Sequence, residues 1–312
     1  SDSCTLRSLR SDFGAFSLTS KMTSAAAPFT VADQRGRKVQ ESDISSITSA
    51  DSKRVSLLGN RICPFAHRAW ITLHELNAQD DVEYLHADIG PTKPDWFTQY
   101  LSPYGTVPVM WDQGKIVPES LVVMKYIFEK FAPNSGFYGG TPYEKSRVDL
   151  MLGKLDVGPI YGFLMNRDPA EEESKKQALK TMLEGIEKIY EESSPIGPYL
   201  LGEHLSAGDV ALVPFFARFI PVIKHYHHYD MLDASLPRLS SMWEHAQKRP
   251  AFHATAVDAQ TFIEAYGMYY ERGLKGVKSP IARFFSSPKG AGLSFVVGGA
   301  AVACAFLLSR RA

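Results

Sequence analysis

The chain is poor in cysteine and carries no excess charge of either sign. Only three of its 312 residues are cysteine, which excludes a scaffold held together by disulfides. Lys and Arg number 34, as do Asp and Glu, so the balance argues against a nucleic-acid-binding protein with a basic face. With 45% hydrophobic and 22% charged residues, wholly disordered and collagen-like chains are also excluded. We therefore expect a globular body of about two domains in a reducing compartment.

Long uncharged runs are scarce, and the clearest one comprises residues 291–309. As a helix this run would span roughly 28 Å, close to the ~30 Å hydrocarbon core of a bilayer. Lys289 precedes it, and Arg310 and Arg311 follow it, as headgroup anchors do. A buried core helix is the alternative, but such a helix usually shows a polar stripe. We predict a transmembrane tail anchor with the body facing the cytosol. Modest hydrophobicity and the final arginines favour the mitochondrial outer membrane over the endoplasmic reticulum.

Composition and periodicity divide the rest of the chain into four parts. Residues 1–50 are rich in Ser and Thr, and we expect them to be mostly disordered, although a short hairpin could form at 29–39. Residues 51–132 alternate strand and helix patterns in the order β-α-β-α-β-β-α, which predicts a small mixed sheet covered by helices. Residues 141–270 carry only helical signals, and 271–290 form a basic linker. The predicted fold is an α/β domain, an all-helical domain and one C-terminal membrane helix.

Local signals place the individual elements of these domains. The predicted strands are 54–59, 82–87, 107–111 and 115–117, and the predicted helices of the first domain are 64–76, 94–101 and 119–131. In the second domain, helices are predicted to begin near residues 141, 168, 206, 236 and 258. Ser206 and Asp209 are spaced as an N-terminal capping box, which makes them a structural element. Gly158-Pro159 should bend or break the first helix of that domain.

The junction between the first strand and the first long helix holds the most informative residue. Cys63 directly precedes Pro64, which can occupy the first position of a helix. Unpaired N–H groups and the helix dipole there favour negative charge, so we expect the thiol pKa to fall well below its free value of ~8.5. Cys63 is therefore a candidate nucleophile, with a merely buried cysteine as the alternative reading.

A second cysteine that could resolve a disulfide with Cys63 is missing. Ala66 stands where a dithiol motif would have its second cysteine. Cys4 lies in the N-terminal extension and Cys304 in the predicted membrane span, so we expect neither to pair with Cys63. A mixed disulfide on Cys63 then needs an external thiol to release it, and glutathione is the obvious small thiol.

Two further junctions complete a candidate site. Pro108 begins a strand after Val107, and a cis bond there would turn the Val107 backbone outward towards an extended peptide. An edge-strand proline without function is the alternative. Glu119 and Ser120 open a helix whose free N–H groups suit a carboxylate, while Glu119 could pair with an ammonium group. An ordinary helix start is the alternative there.

These motifs together resemble a known family. The segments Arg61-Ile62-Cys63-Pro64-Phe65-Ala66-x-Arg68, Lys93-Pro94-Asp95-Trp96-Phe97, Gly105-Thr106-Val107-Pro108-Val109 and Glu119-Ser120 are similar in order and spacing to the omega class of glutathione transferases. Dehydroascorbate reductases and thiol-dependent reductases share much of the pattern. The resemblance covers roughly residues 54–266 and implies a thioredoxin-like domain followed by a helical domain.

The resemblance also implies roles for individual residues. It implies that Cys63 forms a mixed disulfide with glutathione as cosubstrate, that Lys93 binds the glycine carboxylate, and that Pro64 and Phe65 shape the pocket. It further implies that the Val107 backbone, before a cis Pro108, pairs with the cysteinyl part, and that Glu119 and Ser120 hold the γ-glutamyl end. The acceptor would be a small disulfide, dehydroascorbate or another electrophile.

Several other readings stay open at this level. The protein could instead conjugate glutathione to electrophiles, or serve as a non-catalytic adaptor or channel-like protein attached to a membrane. Tyr161, Phe163, Phe215 and Phe216 could line an acceptor pocket, although aromatic residues at helical spacing are more often core. Adjacent histidines at 225–228 do not share a helix face, so we expect no metal site. The sequence does not fix the oligomeric state, although the resemblance implies that a homodimer could form, since dimers are usual in the family; we expect no nucleic-acid partner.

Overall fold

The computed structural model describes residues 36–89 and 93–274, which form an α/β unit followed by a helical unit. In the first unit a 3-10 turn at Glu41–Asp43 leads into helix α1 (Ile44–Thr48). The strands are β1 (Val55–Gly59), β2 (Val82–His86), β3 (Val109–Asp112) and β4 (Lys115–Pro118). The helices are α2 (Pro64–Glu75), a π-helical turn at Phe97–Leu101, and α3 (Ser120–Phe131).

The sheet is mixed and has the strand order β2-β1-β3-β4. Strands β1 and β2 run parallel with Leu57 opposite Tyr84, whereas β3 pairs antiparallel with both β1 and β4. Every residue of β1 is buried, as its short apolar run predicts for a central strand. Helices α2 and α3 pack against each other beside this sheet. A short loop joins the carboxyl end of β1, at Gly59, to the start of α2, at Pro64.

The second unit is helical throughout its described elements. The helices are α4 (Pro142–Lys154), α5 (Gly158–Leu164), α6 (Glu172–Ser193), α7 (Ala207–His227), α8 (Pro237–Gln247), α9 (Pro250–Thr255) and α10 (Ala259–Leu274). The predicted break at Gly158-Pro159 separates α4 from α5. The prediction of an α/β thioredoxin-like domain followed by a helical domain is therefore confirmed.

Helix α7 forms the centre of the helical unit and also contacts the first unit. It packs against α2, α4, α5, α8 and α10, and most of its residues are buried. A bidentate ion pair fastens the two units at another point, where Arg249 donates to Glu75 at 2.8 and 2.7 Å. The end of α2 is thereby held beside α9, while its beginning lies against α7.

The described end of the N-terminal extension, residues 36–50, is ordered, whereas the rest of the segment for which disorder is predicted lies outside the described residues. Lys38 forms a parallel bridge with His86, and Val39 N–H donates to the His86 carbonyl at 2.9 Å. Val39 and Ile47 are both 4% exposed. The segment therefore pairs with the outer edge of β2. This pairing joins residues far apart in the sequence, so no local sequence pattern predicts it. The hairpin expected at 29–39 lies mostly outside the described residues.

Other differences concern element boundaries. Helix α6 begins at Glu172, later than the predicted start at Asp168, because the Asp168 carboxylate accepts from Ala170 N–H at 2.9 Å in a turn. Helix α9 was not predicted. Within the described residues no helix is long and apolar enough to cross a bilayer. The segments 271–290 and 291–309, with the exception of the last residues of α10, lie outside the described residues, as do Cys4 and Cys304.

Candidate active site

The loop between β1 and α2 brings Cys63 to the start of a helix. Cys63 is the N-cap of α2, with φ −73° and ψ 119°, and Pro64 follows at the first helical position. The Cys63 carbonyl accepts from His67 N–H at 3.1 Å, which closes the first turn. The N–H groups of Phe65 and Ala66 find no acceptor among the described residues. The positive end of the helix is thus directed at the cysteine side chain, as the sequence predicts.

Asn60 fixes the path of the chain into this helix. Its side-chain Nδ2 donates to the Ala87 carbonyl at 2.9 Å, and its Oδ1 accepts from Ile62 N–H at 2.9 Å. Its carbonyl accepts from Cys63 N–H at 3.1 Å. These bonds tie the turn to the end of β2 and leave Cys63, which is only 6% exposed, in a defined position.

The backbone of Val107 lies against the cysteine thiol. Cys63 Sγ is 3.8 Å from the Val107 carbonyl, a distance at which the thiol can donate weakly. The Val107–Pro108 peptide bond is cis. Within the described residues the Val107 N–H has no acceptor, although Val107 is only 3% exposed. The sequence-predicted residues Cys63, Val107 and Pro108 are therefore brought together at one point.

Arg68 connects this point with the start of α3. Its Nη1 donates to Ser120 Oγ at 3.1 Å, and its Nε donates to the Ala211 carbonyl of α7 at 2.8 Å. The guanidinium lies over the Phe215 ring, 4.7 Å from its centroid. Burial lowers the pKa of Arg68 to about 9, while negative charge on Cys63 acts in the opposite direction. A cation one turn after Cys63 therefore favours the thiolate.

Ser120 and Glu119 stand at the amino end of α3, where the sequence places them. Ser120 is 3% exposed, and its oxygen accepts from Arg68, which leaves its own proton available to a ligand. Glu119 is the N-cap with φ 70° and ψ 126°, a backbone conformation that is uncommon for residues other than glycine. Partial desolvation raises the pKa of its carboxyl group.

Lys93 and Phe65 have different surroundings in the site. Lys93 Nζ donates to the Gly105 carbonyl and lies 5.8 Å from the centroid of the Phe97 ring. It is therefore held beside the loop that leads to Val107. Phe65 is 3% exposed and meets Phe215 of α7 edge to face, with ring centroids 5.2 Å apart. The floor next to Cys63 is thus built from both units.

The four aromatic residues considered as an acceptor pocket divide into two pairs. Phe163 packs on His227 and Phe216 packs on Trp243, so these two belong to the core of the helical unit. Phe215 and Tyr161 lie on the side of the site, since Phe215 touches Phe65 and the charge of Cys63 acts on the Tyr161 hydroxyl. Both are nevertheless buried, at 0% and 5% exposure.

Arg218 was not singled out by sequence reasoning, yet it reaches the loop that carries Cys63. It lies on α7 at 0% exposure, and it donates to the carbonyls of Arg61 at 2.6 Å and Ile62 at 2.8 Å. Its Nη1 also lies 3.0 Å from His67 Nδ1. Burial and the charge of Arg218 lower the pKa of His67 well below its usual value, so this imidazole is neutral and accepts from the guanidinium. One signal could have found Arg218: it is a charged residue inside the apolar run at 210–220.

The capping box of α7 forms away from the thiol. Asp209 Oδ2 accepts from the backbone N–H and hydroxyl of Ser206, at 2.8 and 2.7 Å. Its other oxygen accepts from Leu200 N–H at 2.9 Å and Tyr190 O–H at 2.8 Å. These residues anchor the helix that carries Arg218. Among the described residues no cluster of His, Cys, Asp or Glu is arranged to hold a metal ion.

Comparisons with known proteins identify the family of both units. The chain matches the family "Glutathione S-transferase, N-terminal domain" over residues 62–130 and "Glutathione S-transferase, C-terminal domain" over 147–255. It is 30% identical to Glutathione S-transferase L3 of Arabidopsis thaliana over 207 residues, 66% of this chain and 83% of that protein. Glutathione S-transferase DHAR3, chloroplastic, of the same plant is 29% identical over 204 residues, 65% of this chain and 72% of that protein.

Solved structures show the same fold. Glutathione transferase Omega 3C from Trametes versicolor superposes with a TM-score of 0.60 at 20% identity, covering 75% of this chain and 97% of that one. The matched family domains span both units, and a relative that is 30% identical is matched over 83% of its length. These two findings assign the chain to a family. The chain belongs to the glutathione S-transferase family.

Proposed function

We propose that this protein is a glutathione-dependent thiol transferase or reductase of the cysteine type, and that Cys63 forms a mixed disulfide with glutathione. The observation that carries the proposal is the position of Cys63 at the N-cap of α2, with unpartnered N–H groups at Phe65 and Ala66 in the described structure. A thiol there is stabilised as its thiolate. Ala66 at the position of a second redox cysteine leaves release to an external thiol.

The reaction proceeds through two disulfide exchanges. The Cys63 thiolate attacks the glutathione sulfur of a substrate disulfide, the S–S bond of the substrate breaks, and the leaving thiolate takes a proton from water. A second glutathione, as thiolate, then attacks the mixed disulfide and releases the Cys63 thiolate together with oxidised glutathione. The net change converts the glutathionyl disulfide and one glutathione thiol into the substrate thiol and oxidised glutathione. With dehydroascorbate as acceptor, two glutathione thiols supply the two electrons and leave as oxidised glutathione.

The surrounding groups match the parts of the tripeptide. The unpartnered Val107 N–H, next to the thiol, suits the backbone of the cysteinyl residue. Ser120 and the first turn of α3 suit the γ-glutamyl carboxylate, and Glu119 suits its ammonium group. Lys93 suits the glycine carboxylate after exchanging its bond to the Gly105 carbonyl. This orientation fits the cysteine classes of the family, of which the omega class is the finer assignment we propose.

The test compares Cys63→Ala with two matched cysteine variants, Cys4→Ser and Cys304→Ser, in the full chain. We expect Cys63→Ala to abolish glutathione-dependent reduction of hydroxyethyl disulfide and of dehydroascorbate, and the other two to keep it. Mass spectrometry after incubation with oxidised glutathione should find one glutathionyl group on the Cys63 peptide. Thioltransferase activity that survives in Cys63→Ala contradicts the proposal.

Two alternative functions are outcomes of the same experiment. Conjugation of glutathione to a chlorinated nitrobenzene, without disulfide reduction, would identify a conjugating transferase. Glutathione binding without any turnover would identify the adaptor. The titratable cysteine at the bond-forming position disfavours conjugation, because Cys63 would capture glutathione as a disulfide.

We also propose that the apolar segment 291–309 attaches the protein to a membrane with the enzyme body in the cytosol. The length of the segment and its flanking Lys289, Arg310 and Arg311 support this. Imaging a fluorescent protein fused to residues 271–312 checks it, with the mitochondrial outer membrane as the expected location and the endoplasmic reticulum as the alternative. A diffuse signal contradicts membrane attachment. The homodimer that the resemblance implies stays a prediction, which light scattering of the detergent-solubilised protein tests.

A further inference from the structure

Arg218 is a fully buried cation that has no carboxylate partner in the part of the chain that the structure describes. It is 0% exposed, and its hydrogen bonds go to the carbonyls of Arg61, Ile62 and Pro214 and to the ring of His67. Within the described residues no Asp or Glu forms an ion pair or hydrogen bond with it. Because a buried charge is costly unless it is compensated, such a guanidinium calls for a negative group nearby.

Arg218 holds the two peptide carbonyls that immediately precede Cys63. Nη2 donates to the Arg61 carbonyl at 2.6 Å and Nε donates to the Ile62 carbonyl at 2.8 Å. The Ile62 carbonyl also accepts from the Tyr266 hydroxyl at 3.3 Å. A guanidinium suits this task since its planar fork can reach two acceptors at once. The orientation of the Cys63 backbone is thereby set by a side chain of the helical unit.

Cys63 is the group near Arg218 that can carry a negative charge at neutral pH. Titratable side chains from five different elements interact with Cys63: Arg68 of α2, Tyr84 of β2, Tyr161 of α5, Arg218 of α7 and Tyr266 of α10. Burial raises the pKa of Tyr84, Tyr161 and Tyr266, which keeps all three hydroxyls neutral. His67 is neutral as well. Arg68 and Arg218 therefore face the thiolate as cations, and Arg61, which is 7% exposed, adds a third guanidinium to the same loop and acts on His67 and Tyr84 as Arg218 does.

We propose that Arg218 is a positioning residue for the reaction, because it fixes the loop before Cys63 and supplies a buried positive charge that favours the Cys63 thiolate. This proposal rests on the proposed function. Under this proposal the helical unit orients and activates the Cys63 thiol through Arg218, in addition to any contact that it makes with the acceptor.

The experiment measures alkylation of Cys63 by iodoacetamide between pH 4 and pH 9, resolved at the Cys63 peptide by mass spectrometry. The full chain is compared with Arg218→Gln and Arg218→Lys. We expect Arg218→Gln to raise the midpoint of the alkylation profile by about one pH unit, so that the rate falls about tenfold at pH values below the midpoint of the parent. Arg218→Lys keeps a cation but cannot reach both carbonyls, so its rate at pH 6 should fall about threefold, which is partial rescue.

Arg238→Lys is the matched control. Arg238 also uses its guanidinium to hold two loop carbonyls, those of Gly197 and Tyr199, but it lies on α8 away from the thiol. We expect this variant to lower the melting temperature and leave the alkylation midpoint unchanged. A merely structural role for Arg218 would give that same pattern in the Arg218 variants.

The outcomes separate this proposal from the proposed function. A folded Arg218→Gln protein with the wild-type alkylation profile overturns the role of Arg218. If Arg218→Gln does not fold, the test uses Arg218→Lys alone. A rate of Cys63 alkylation at pH 6 equal to that of the wild type in this variant then overturns the role of Arg218. A wild-type midpoint near the ordinary thiol pKa of ~8.5 instead contradicts the activated thiol, and with it both proposals.

Discussion

Asp209 and Glu144 occupy the same position in two capping boxes that differ in burial. Asp209 is 0% exposed and accepts four hydrogen bonds, from Ser206 twice and from Leu200 and Tyr190. Glu144 accepts from the N–H groups of Gly140 and Thr141, at 2.8 and 2.9 Å, at a partly exposed helix start. The two sites therefore allow the contribution of burial to be measured within one protein.

Replacing Asp209 with Ala leaves four buried donors without their acceptor: the N–H groups of Ser206 and Leu200 and the hydroxyls of Ser206 and Tyr190. At about 1–1.5 kcal/mol for each orphaned donor, we expect Asp209→Ala to lower the free energy of unfolding by about 4–6 kcal/mol. Replacing Glu144 with Ala releases its donors to water, so we expect a loss of only about 1 kcal/mol.

The two carboxylates should also differ in the sign of their pH dependence. Burial raises the pKa of Asp209, so the folded state binds the proton of this carboxyl group more tightly than the unfolded chain does. As pH rises above 3.8, the unfolded chain loses this proton first, and the free energy of unfolding falls. Backbone hydrogen bonds from Thr141 and Gly140 lower the pKa of Glu144. Its contribution is therefore present above 4.5 and is lost as pH falls through the lower folded-state value.

Urea unfolding followed by circular dichroism, for both variants and the parent between pH 3 and pH 7, measures these quantities. The difference between parent and Asp209→Ala should shrink as pH rises, whereas the difference between parent and Glu144→Ala should grow. Equal losses at pH 7, or pH slopes of the same sign, would refute the argument from burial.

Three further substitutions test other contacts. Arg68→Lys cannot make both of its hydrogen bonds, so we expect a several-fold higher KM for glutathione, and an unchanged KM contradicts its link to the site. Glu75→Gln breaks the bidentate bond to Arg249 at a side chain that is only 6% exposed, so we expect the free energy of unfolding in urea to fall by about 3 kcal/mol. Activity per folded molecule should stay constant, and a loss of stability under 1 kcal/mol contradicts the importance of this ion pair. Burial of Asp112 acts to raise the pKa of its carboxyl group, but the hydrogen bond from Lys130 lowers it, and this pKa lies below 3.8. The stability that the carboxylate contributes is therefore present above pH 3.8 and is lost in acid. Asp112→Asn should flatten this acid decline, and an unaltered decline between pH 4 and pH 2 contradicts the assignment.

Local sequence signals were sufficient for the thiol and its helix. Cys63 followed by Pro64 predicts an N-cap and a first helical turn, because proline fixes the backbone and lacks the N–H that a first turn does not need. The hairpin at 112–114 and the capping box at Ser206 are local in the same way. Each of these features depends on residues within a few positions, so the sequence is enough to predict them.

Contacts between distant segments could not be predicted in this way. Arg218 bonds to carbonyls that lie 156 and 157 positions earlier in the chain, and any residue type could supply such carbonyls. The bridge between Lys38 and His86 likewise joins the extension to a strand edge through backbone groups alone. Backbone acceptors leave no trace in the side-chain pattern, so only the charge inside an apolar run pointed to Arg218.

The position of these carbonyls explains why the thiol needs both units. The Arg61 and Ile62 carbonyls lie in the loop after β1, beyond the residues that pair in the sheet, and buried carbonyls without donors are costly. Arg218 of α7 and Tyr266 of α10 provide the donors, and the Ala256 carbonyl accepts from the Arg61 side chain at 3.4 Å. A glutathione-binding unit without its helical partner would leave this loop unsupported at the residue before Cys63. The loop that carries Cys63, the proposed nucleophile, is therefore held in place at the interface between the units.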